Sequence, residues 1–296
     1  MTTLAHISDI HLSPLPPMGI SDLLGKRLTG YLNWRLKRHD EMSGETLARL
    51  VAHMREQRAD FTAVTGDLVN LALPAEMQRA QGWLEALGNP ERIAVCPGNH
   101  DAYVPGALSE AQACWGPYLQ GETLEGQAFP FVRRIDEVAI ISCSSAVPMP
   151  PFVAAGRFDD KQAARLARML KLLGDAGYFR VVLIHHPPNA ELQHPSFGLR
   201  GHRLFRQAVA THGAEMILHG HTHRSSIHHI PGKTKEVPVI GVAAASAAQG
   251  GKLGDPARYN LFRIERSGES WHCTMREFGF QRLGSDIVMR MQMRIY

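Results

Sequence analysis

Cysteine is scarce in this 296-residue chain, which contains only Cys96, Cys114, Cys143 and Cys273. None of them forms a CxxC pair or has the spacing of a zinc knuckle, so the sequence offers neither a disulfide framework nor a thiolate metal site. Cys96 and Cys143 lie inside apolar runs, where a small buried thiol is ordinary. We therefore expect reduced cysteines and a cytoplasmic protein.

Long hydrophobic segments are also missing. No stretch reaches the ~18 consecutive apolar residues of a transmembrane helix, and the apolar run that starts at Leu4 has no basic and apolar leader before it. We expect neither secretion nor a membrane span. Internal repeats, low-complexity linkers and clear composition shifts are absent too, which predicts a single domain over residues 1–296.

The charge excess is small. Lys and Arg number 32 against 28 Asp and Glu, for a net charge of +4, and such an excess selects no partner by itself. The sequence lacks a basic patch interleaved with aromatic residues, which duplex-binding proteins carry. We therefore expect no specific nucleic-acid partner, and a DNA exonuclease is the least favoured enzyme.

Polar clusters stand at the ends of five apolar runs. The runs cover residues 4–7, 61–65, 93–96, 181–184 and 216–218, and near-continuous apolar sequence of this length is typical of strands buried on both faces. Ligands of open α/β sheets bind where such strands emerge. The clusters are Asp9-Ile10-His11, Gly66-Asp67, Gly98-Asn99-His100-Asp101, His185-His186 and Gly220-His221-Thr222-His223.

Helical periodicity separates these strands. Apolar spacings of three and four predict helices over 44–57, 74–87, 159–173 and 202–212, with Pro74 in a first turn and Asp159 or Asp160 as a cap. After residue 220 the pattern changes to hairpin-like strands over 225–230, 237–243, 259–265 and 270–277. The tail from residue 281 has no pattern that predicts an element.

The clustered side chains are carboxylates, imidazoles and one amide. This mixed nitrogen and oxygen set suits divalent ions such as Mn²⁺, Fe²⁺ or Zn²⁺. The spacings Asp9-x-His11 and His221-x-His223 are expected to place both members of each pair on one side of a strand end. Two metal ions about 3.5–4 Å apart can share a carboxylate, activate a bridging water and stabilise an in-line displacement at phosphorus. The prediction is hydrolysis without a protein nucleophile.

The motifs SDIH, GDLVN, GNHD, IHHPP and HGHTH together resemble those of calcineurin-like metallophosphoesterases. The resemblance is strongest to the bacterial branch with class III cyclic-nucleotide phosphodiesterases and extends over about residues 4–248. It implies a four-layer α/β/β/α sandwich, in which two mixed sheets are flanked by helices. It also implies two divalent metal ions.

The resemblance implies a role for each motif residue. One metal is held by Asp9, His11 and His223, Asp67 bridges, and the second metal is held by Asn99, His185 and His221. His100 is implied to contact the phosphate and protonate the leaving oxygen. Its place in the sequence makes Asp101, the next residue, or Asp67 the expected group that orients its ring. His186 is not implied as a ligand. Because the ligand set is complete, an active enzyme is favoured over a scaffold that has lost its metals.

The expected substrate is a phosphodiester, either a cyclic nucleotide or another small diester, attacked by a metal-bridging hydroxide. A basic amphipathic insertion at about 20–40 supports an alternative. It places the apolar residues Leu24, Leu28, Tyr31, Leu32 and Leu36 between the basic residues Lys26, Arg27, Arg35, Lys37 and Arg38. This pattern is typical either of a solvated helix that covers the active site or of peripheral contact with an anionic membrane. The latter would suit a lipid-linked pyrophosphate or a phospholipid headgroup. A monomer and a homodimer are both compatible with the sequence.

Overall fold

The strands of the described residues form three sheets. The structure, a computed structural model, describes residues 1–23, 25–38, 41–248, 255–280 and 286–296. Within these ranges the strands, numbered along the chain, are β1 (Thr2–Ile7), β2 (Phe61–Val64), β3 (Ile93–Val95), β4 (Glu122–Thr123), β5 (Phe131–Ile135), β6 (Val138–Ser142), β7 (Gly156–Arg157), β8 (Phe179–Leu183), β9 (Leu199–Arg200), β10 (Met216–His219), β11 (Ser226–Pro231), β12 (Glu236–Gly241), β13 (Arg258–Ser267), β14 (Ser270–Phe280) and β15 (Ile287–Arg294).

Six α-helices accompany these strands in the described ranges. They are α1 (Lys26–Asn33), α2 (Gly44–Glu56), α3 (Pro74–Leu87), α4 (Ala107–Trp115), α5 (Asp160–Asp175) and α6 (His202–His212). A π-helical turn, Trp34–Arg38, continues α1. No helix of the described ranges has both the length and the apolar character that crossing a membrane requires.

Both large sheets are mixed, as expected. The first has the order β15-β14-β13-β1-β2-β3, with β1, β2 and β3 parallel and the other three antiparallel. The second has the order β11-β12-β10-β8-β6-β5-β4, with four parallel strands from β12 to β6. The small third sheet pairs β7 with β9.

The four layers form because successive residues of one strand are buried on opposite faces of the sheet. In the second sheet Ile140, Val181 and Leu218 pack into the core that contains the first sheet with α2, α3 and α4. Their neighbours Ile141, Val182 and Ile217 point the other way and pack with α5 and α6 in a second core. Because successive strand residues face opposite sides, a near-continuous apolar strand supplies both cores. The predicted α/β/β/α sandwich is confirmed.

The predicted helices are confirmed, and the Asp159 carboxylate caps α5 by accepting a hydrogen bond from the backbone N–H of Gln162 at 2.8 Å. The sequence reading missed three features. It did not identify α4 or the β5-β6 hairpin, and it assigned no element to the tail, where β15 extends the first sheet. Residues 281–285 of that tail lie outside the described ranges. All four cysteines are free.

Candidate metal centre

The predicted ligands come from loops that follow the carboxyl ends of β1, β2, β3, β8 and β10. Backbone hydrogen bonds hold these loops together. The N–H of Asp9 donates to Gly66 O at 3.0 Å and that of His11 to Asp67 O at 2.9 Å. Between the two large sheets, the N–H of His221 donates to Asp9 Oδ2 at 3.0 Å. The motif loops of both large sheets therefore lie together at one site.

Left-handed backbone is concentrated at this site. Five of the seven predicted ligands have positive φ, namely Asp9, His11, Asp67, His221 and His223. Such a conformation costs a non-glycine residue about 1 kcal/mol or more and persists where the surroundings enforce it. The expected convergence of Asp9 and His11 is present, but left-handed loops beyond the strand produce it and not strand alternation. His221 and His223 also lie on a left-handed loop, and they contact different partners, Asn99 and Asp9.

Close packing of these loops requires glycine. A Cβ atom on Gly98 would collide with the Asp67 carboxylate, and one on Gly220 would collide with Ser8 Oγ. Neither glycine has a positive φ, so close approach rather than conformational freedom explains the residue type.

One group of donors comprises Asp9, His11 and His223, whose ligand atoms all lie within 4.8 Å of one another. Asp9 Oδ1 is 3.2 Å from His223 Nε2. A second group surrounds Asn99. Its Oδ1 lies 3.2 Å from His185 Nε2 and 3.0 Å from His221 Nδ1.

Asp67 lies between the two groups. Its Oδ2 is 3.7 Å from His11 Nε2 and 3.3 Å from His185 Nε2. The carboxylate is buried, as is that of Asp9. A carboxylate that faces imidazoles of both groups has the position that a bridging ligand needs.

Backbone carbonyls orient three of the imidazoles. His185 Nδ1 lies 2.6 Å from Thr65 O, His11 Nδ1 lies 3.2 Å from Val69 O, and His221 Nε2 lies 2.9 Å from Phe197 O. Because a carbonyl oxygen only accepts, each of these nitrogens carries the proton. The second nitrogen of each ring then presents its lone pair to the centre, which is the usual arrangement of metal-binding histidines. The residues therefore fit two divalent cations.

The electrostatics agree with this fit. Burial opposes ionisation of Asp9, but the His223 imidazole holds the pKa of that carboxyl well below its usual range. Burial is outweighed in the same way at Asp67, where His185 and His100 hold the pKa well below the usual range. Burial disfavours a charged His185, yet Asp67 raises the pKa of that imidazole to about 9. Two buried anions at one site need positive charge nearby, which divalent cations supply.

His100 lines the same centre, and one of its ring nitrogens lies within 4.8 Å of ligand atoms of His11 and Asp67. Its Nδ1 is 2.6 Å from Asn70 O, and its ring stacks on Tyr103 at 5.5 Å between centroids. Asn70 is itself held in place, since its N–H donates to the buried Glu76 carboxylate at 2.8 Å. The sequence did not predict the contact between His100 and Asn70, because the partner of His100 is a backbone atom.

Asp101 has a different position from the expected one. Its Oδ2 accepts from the N–H of Asp67 at 2.9 Å and of Gly98 at 2.8 Å, and its Oδ1 accepts from Leu68 at 2.8 Å and Val69 at 3.3 Å. The carboxylate is fully buried. The expected orienting contact to His100 is therefore corrected: Asn70 O contacts the ring, while Asp101 fixes the two loops that carry Asp67 and Asn99.

His186 is close to the centre but is used elsewhere. Its Nε2 is 3.0 Å from Ala154 O and its Nδ1 is 2.7 Å from Ser145 Oγ. Nε2 must donate to the carbonyl, so Nδ1 accepts from the hydroxyl. Both nitrogens are thus engaged with residues 145–154, and this contact gives His186 the role of holding that loop.

Three comparisons describe what the chain resembles. The family model described as calcineurin-like phosphoesterase matches residues 2–225. A probable cyclic nucleotide phosphodiesterase of Synechococcus is 27% identical over 184 residues, which are 61% of this chain and 64% of that protein. The glycerophosphodiester phosphodiesterase GpdQ of Enterobacter lignolyticus is 28% identical over 251 residues, or 79% and 78% of the two chains.

Among solved structures, a dimetal phosphatase from Danio rerio superposes with a TM-score of 0.63 at 13% identity, covering 97% of this chain and 98% of that one. A purple acid phosphatase from yellow lupin superposes with a TM-score of 0.54 at 12% identity, covering 97% of this chain and 53% of that one. At these identities the likeness establishes the fold.

Proposed function

The chain belongs to the calcineurin-like phosphoesterase family, and from that premise we propose that it hydrolyses a small phosphodiester with the help of two divalent metal ions. The observation that carries the proposal is the position of Asp67 between two groups of imidazoles. Two curated relatives are named as phosphodiesterases, one of cyclic nucleotides and one of glycerophosphodiesters. A diester is accordingly the first choice of substrate.

In this proposal Asp9, His11 and His223 hold one metal, Asn99, His185 and His221 hold the second, and Asp67 bridges them. When bound, the two ions neutralise phosphate charge and lower the pKa of a water molecule. The protein residues provide the geometry. The carbonyl partners of His11, His185 and His221 fix which nitrogen faces the centre.

His100 supplies the proton for the leaving oxygen. Asn70 O keeps the proton of Nδ1 in place, so the second proton of the imidazolium is on Nε2 and is the one transferred. Asp67 Oδ1 accepts the backbone N–H of His100 at 2.8 Å. The same carboxylate that faces both groups of imidazoles therefore also positions the backbone of His100.

The test is a substrate panel at a fixed Mn²⁺ concentration. It compares bis(4-nitrophenyl) phosphate, a 3′,5′-cyclic nucleotide and glycerophosphocholine with the monoester 4-nitrophenyl phosphate. The proposal predicts faster turnover of at least one diester than of the monoester, and loss of that turnover on chelation. Turnover of the monoester alone would contradict the diester assignment.

A lipid-like substrate is the second candidate, because α1 and the π-helical turn that continues it expose apolar residues. Leu28, Leu32 and Leu36 recur at intervals of four and are 47%, 49% and 80% exposed. The expected single apolar face is therefore divided, since Tyr31 is partly buried against the core and stacks on the buried Trp34. Leu24 lies outside the described ranges. An exposed leucine row beside exposed Arg35 is the surface that a peripheral membrane helix presents.

A further inference from the structure

A cavity of about 420 Å³ opens beside the metal centre, between α1 and two loops. Asn99 and His100 of the centre line it, together with Lys26, Tyr103, Phe152 and Phe197. Because His100 is the proposed proton donor to the leaving oxygen, the leaving group of the substrate lies on the His100 side of the phosphate. The cavity is therefore in position to receive it.

Helix α1 is firmly seated on this cavity. Arg27 Nη2 donates to Ala72 O at 2.6 Å, in the loop that follows β2. A Cβ atom on Gly30 would collide with the Tyr103 hydroxyl, so the helix backbone lies directly on that ring. The ring of Tyr103 in turn stacks on His100. The insertion is thus part of the wall of the active site.

Lys26 is the cation of this wall. Its Nζ lies 4.1 Å from the centroid of the Tyr103 ring, and no described carboxylate pairs with it. Burial without an anionic partner lowers the pKa of Lys26 to about 8. The titratable groups that line the cavity with it are Tyr103 and His100. A partly buried ammonium group of this kind gains most from an incoming anion.

The opposite wall is apolar and conformationally constrained. Phe152 is 82% exposed and has a left-handed backbone, with φ of 63°, and Phe197 is 53% exposed. Exposed aromatic side chains that line a cavity offer apolar surface to a bound ligand. The two loops are joined to each other, since Ala154 N–H donates to Ser196 O at 2.8 Å, and Phe197 O accepts from the proposed ligand His221.

We propose that this cavity binds the leaving group, and that Lys26 selects leaving groups that carry a second negative charge beside an apolar body. The inference rests on the proposed phosphodiester hydrolysis and adds a substrate class to it. A diester whose leaving group is a neutral alcohol uses the aromatic wall alone. One whose leaving group carries a carboxylate or a further phosphate also pairs with Lys26.

A matched pair of chromogenic diesters tests the inference. The first is methyl 4-nitrophenyl phosphate, and the second carries a carboxylate on the ring, as the methyl phosphodiester of 5-hydroxy-2-nitrobenzoate. The quantity measured is the ratio of kcat/KM for the charged over the neutral substrate. Lys26→Ala should lower this ratio roughly tenfold, the value of one charge-assisted contact, while Lys26→Arg should retain most of it.

Lys235→Ala is the control, because Lys235 Nζ also lies over a tyrosine ring, that of Tyr296, and is outside the cavity. It should leave the ratio unchanged. In the wild type the ratio should fall as the pH rises past about 8, since kcat/KM reports the free enzyme and Lys26 loses its charge there. Other ionisations of the free enzyme act equally on both substrates and cancel in the ratio.

The outcomes separate the two proposals. If the wild type hydrolyses both diesters and Lys26→Ala leaves the ratio unchanged, the selection by Lys26 is wrong while the phosphodiesterase assignment stands. If the wild type hydrolyses neither diester with Mn²⁺ bound, the proposed function is wrong and the leaving-group site falls with it.

Discussion

The Nδ1 atom of His100 lies 2.6 Å from the backbone carbonyl oxygen of Asn70. This contact fixes the tautomer of the proposed general acid by a main-chain atom, which no side-chain substitution removes. Because His100 is the proposed general acid and not a proposed metal ligand, His100→Ala should retain both metals but lower kcat by about 10²- to 10⁴-fold on an alkyl diester.

The leaving group distinguishes proton donation from phosphate binding by His100. A nitrophenolate departs without protonation, so the loss in His100→Ala should be much smaller on a nitrophenyl diester. Metal content by elemental analysis is the control for an intact centre. Equal losses on the two diesters would show that His100 binds the phosphate and does not donate a proton.

Asp101 is predicted to act through stability. Asp101→Asn replaces an acceptor oxygen by an NH₂ group and leaves backbone N–H groups among Asp67, Leu68 and Gly98 without a partner. We expect a loss of about 2–4 kcal/mol in the free energy of unfolding, measured by denaturant titration. Asp175→Asn, at an exposed pair with Lys171, should change it by less than about 1 kcal/mol.

A role for Asp101 in proton transfer to the leaving group would contradict this account. If Asp101 acts only through stability, Asp101→Asn should keep the leaving-group dependence of the wild type when it is assayed well below its melting temperature. A loss confined to substrates with poor leaving groups would instead assign Asp101 to proton transfer.

His186 is predicted to position a loop and not to bind metal. His186→Ala removes the hydrogen bond to Ala154 O, two residues after Phe152, so we expect two metals per chain and a kcat/KM lowered about tenfold, mainly through KM. His185→Ala is the comparison and should lose a metal. Loss of a metal from His186→Ala itself would make His186 a ligand.

The exposed leucine row of Leu28, Leu32 and Leu36 can be tested for membrane binding. If it contacts membranes, the wild type should sediment with phosphatidylglycerol vesicles at low salt and less at high salt. Replacing Leu28, Leu32 and Leu36 by serine should reduce binding roughly a hundredfold, since partial burial of each leucine contributes about 1 kcal/mol.

A matched variant carries Leu172→Ser and Leu204→Ser, exposed leucines on α5 and α6, and should bind like the wild type. If the wild type does not sediment at low salt, α1 serves only as a wall of the active site and the lipid candidate is wrong.

The positions of the ligand motifs were predictable from the sequence, because each motif follows a near-continuous apolar run that is typical of a buried strand. Asp67, for example, follows β2 after two residues, and parallel strands bring such ends together. The backbone geometry was not predictable, because positive φ at Asp9 and His221 is imposed by contacts between distant loops.

Two further features escaped prediction for physical reasons. The partner of His100 is a carbonyl, which any residue at position 70 supplies. The β5-β6 hairpin and α4 belong to stretches whose burial depends on neighbours distant in the chain. In α1 and the π-helical turn after it, the division into exposed leucines and a buried Trp34 also depends on tertiary packing.

The central claim is a two-metal centre organised by Asp67. The most direct measurement is the metal content of purified wild type and Asp67→Ala by elemental analysis, and it is paired with turnover of bis(4-nitrophenyl) phosphate. Removing the carboxylate that faces both His11 and His185 removes negative charge from between two cations. We predict two metal ions per chain in the wild type and fewer than one, with no hydrolysis, in the variant, while Asn99→Ala has the milder effect. Two tightly held metals and full activity in Asp67→Ala would contradict the account.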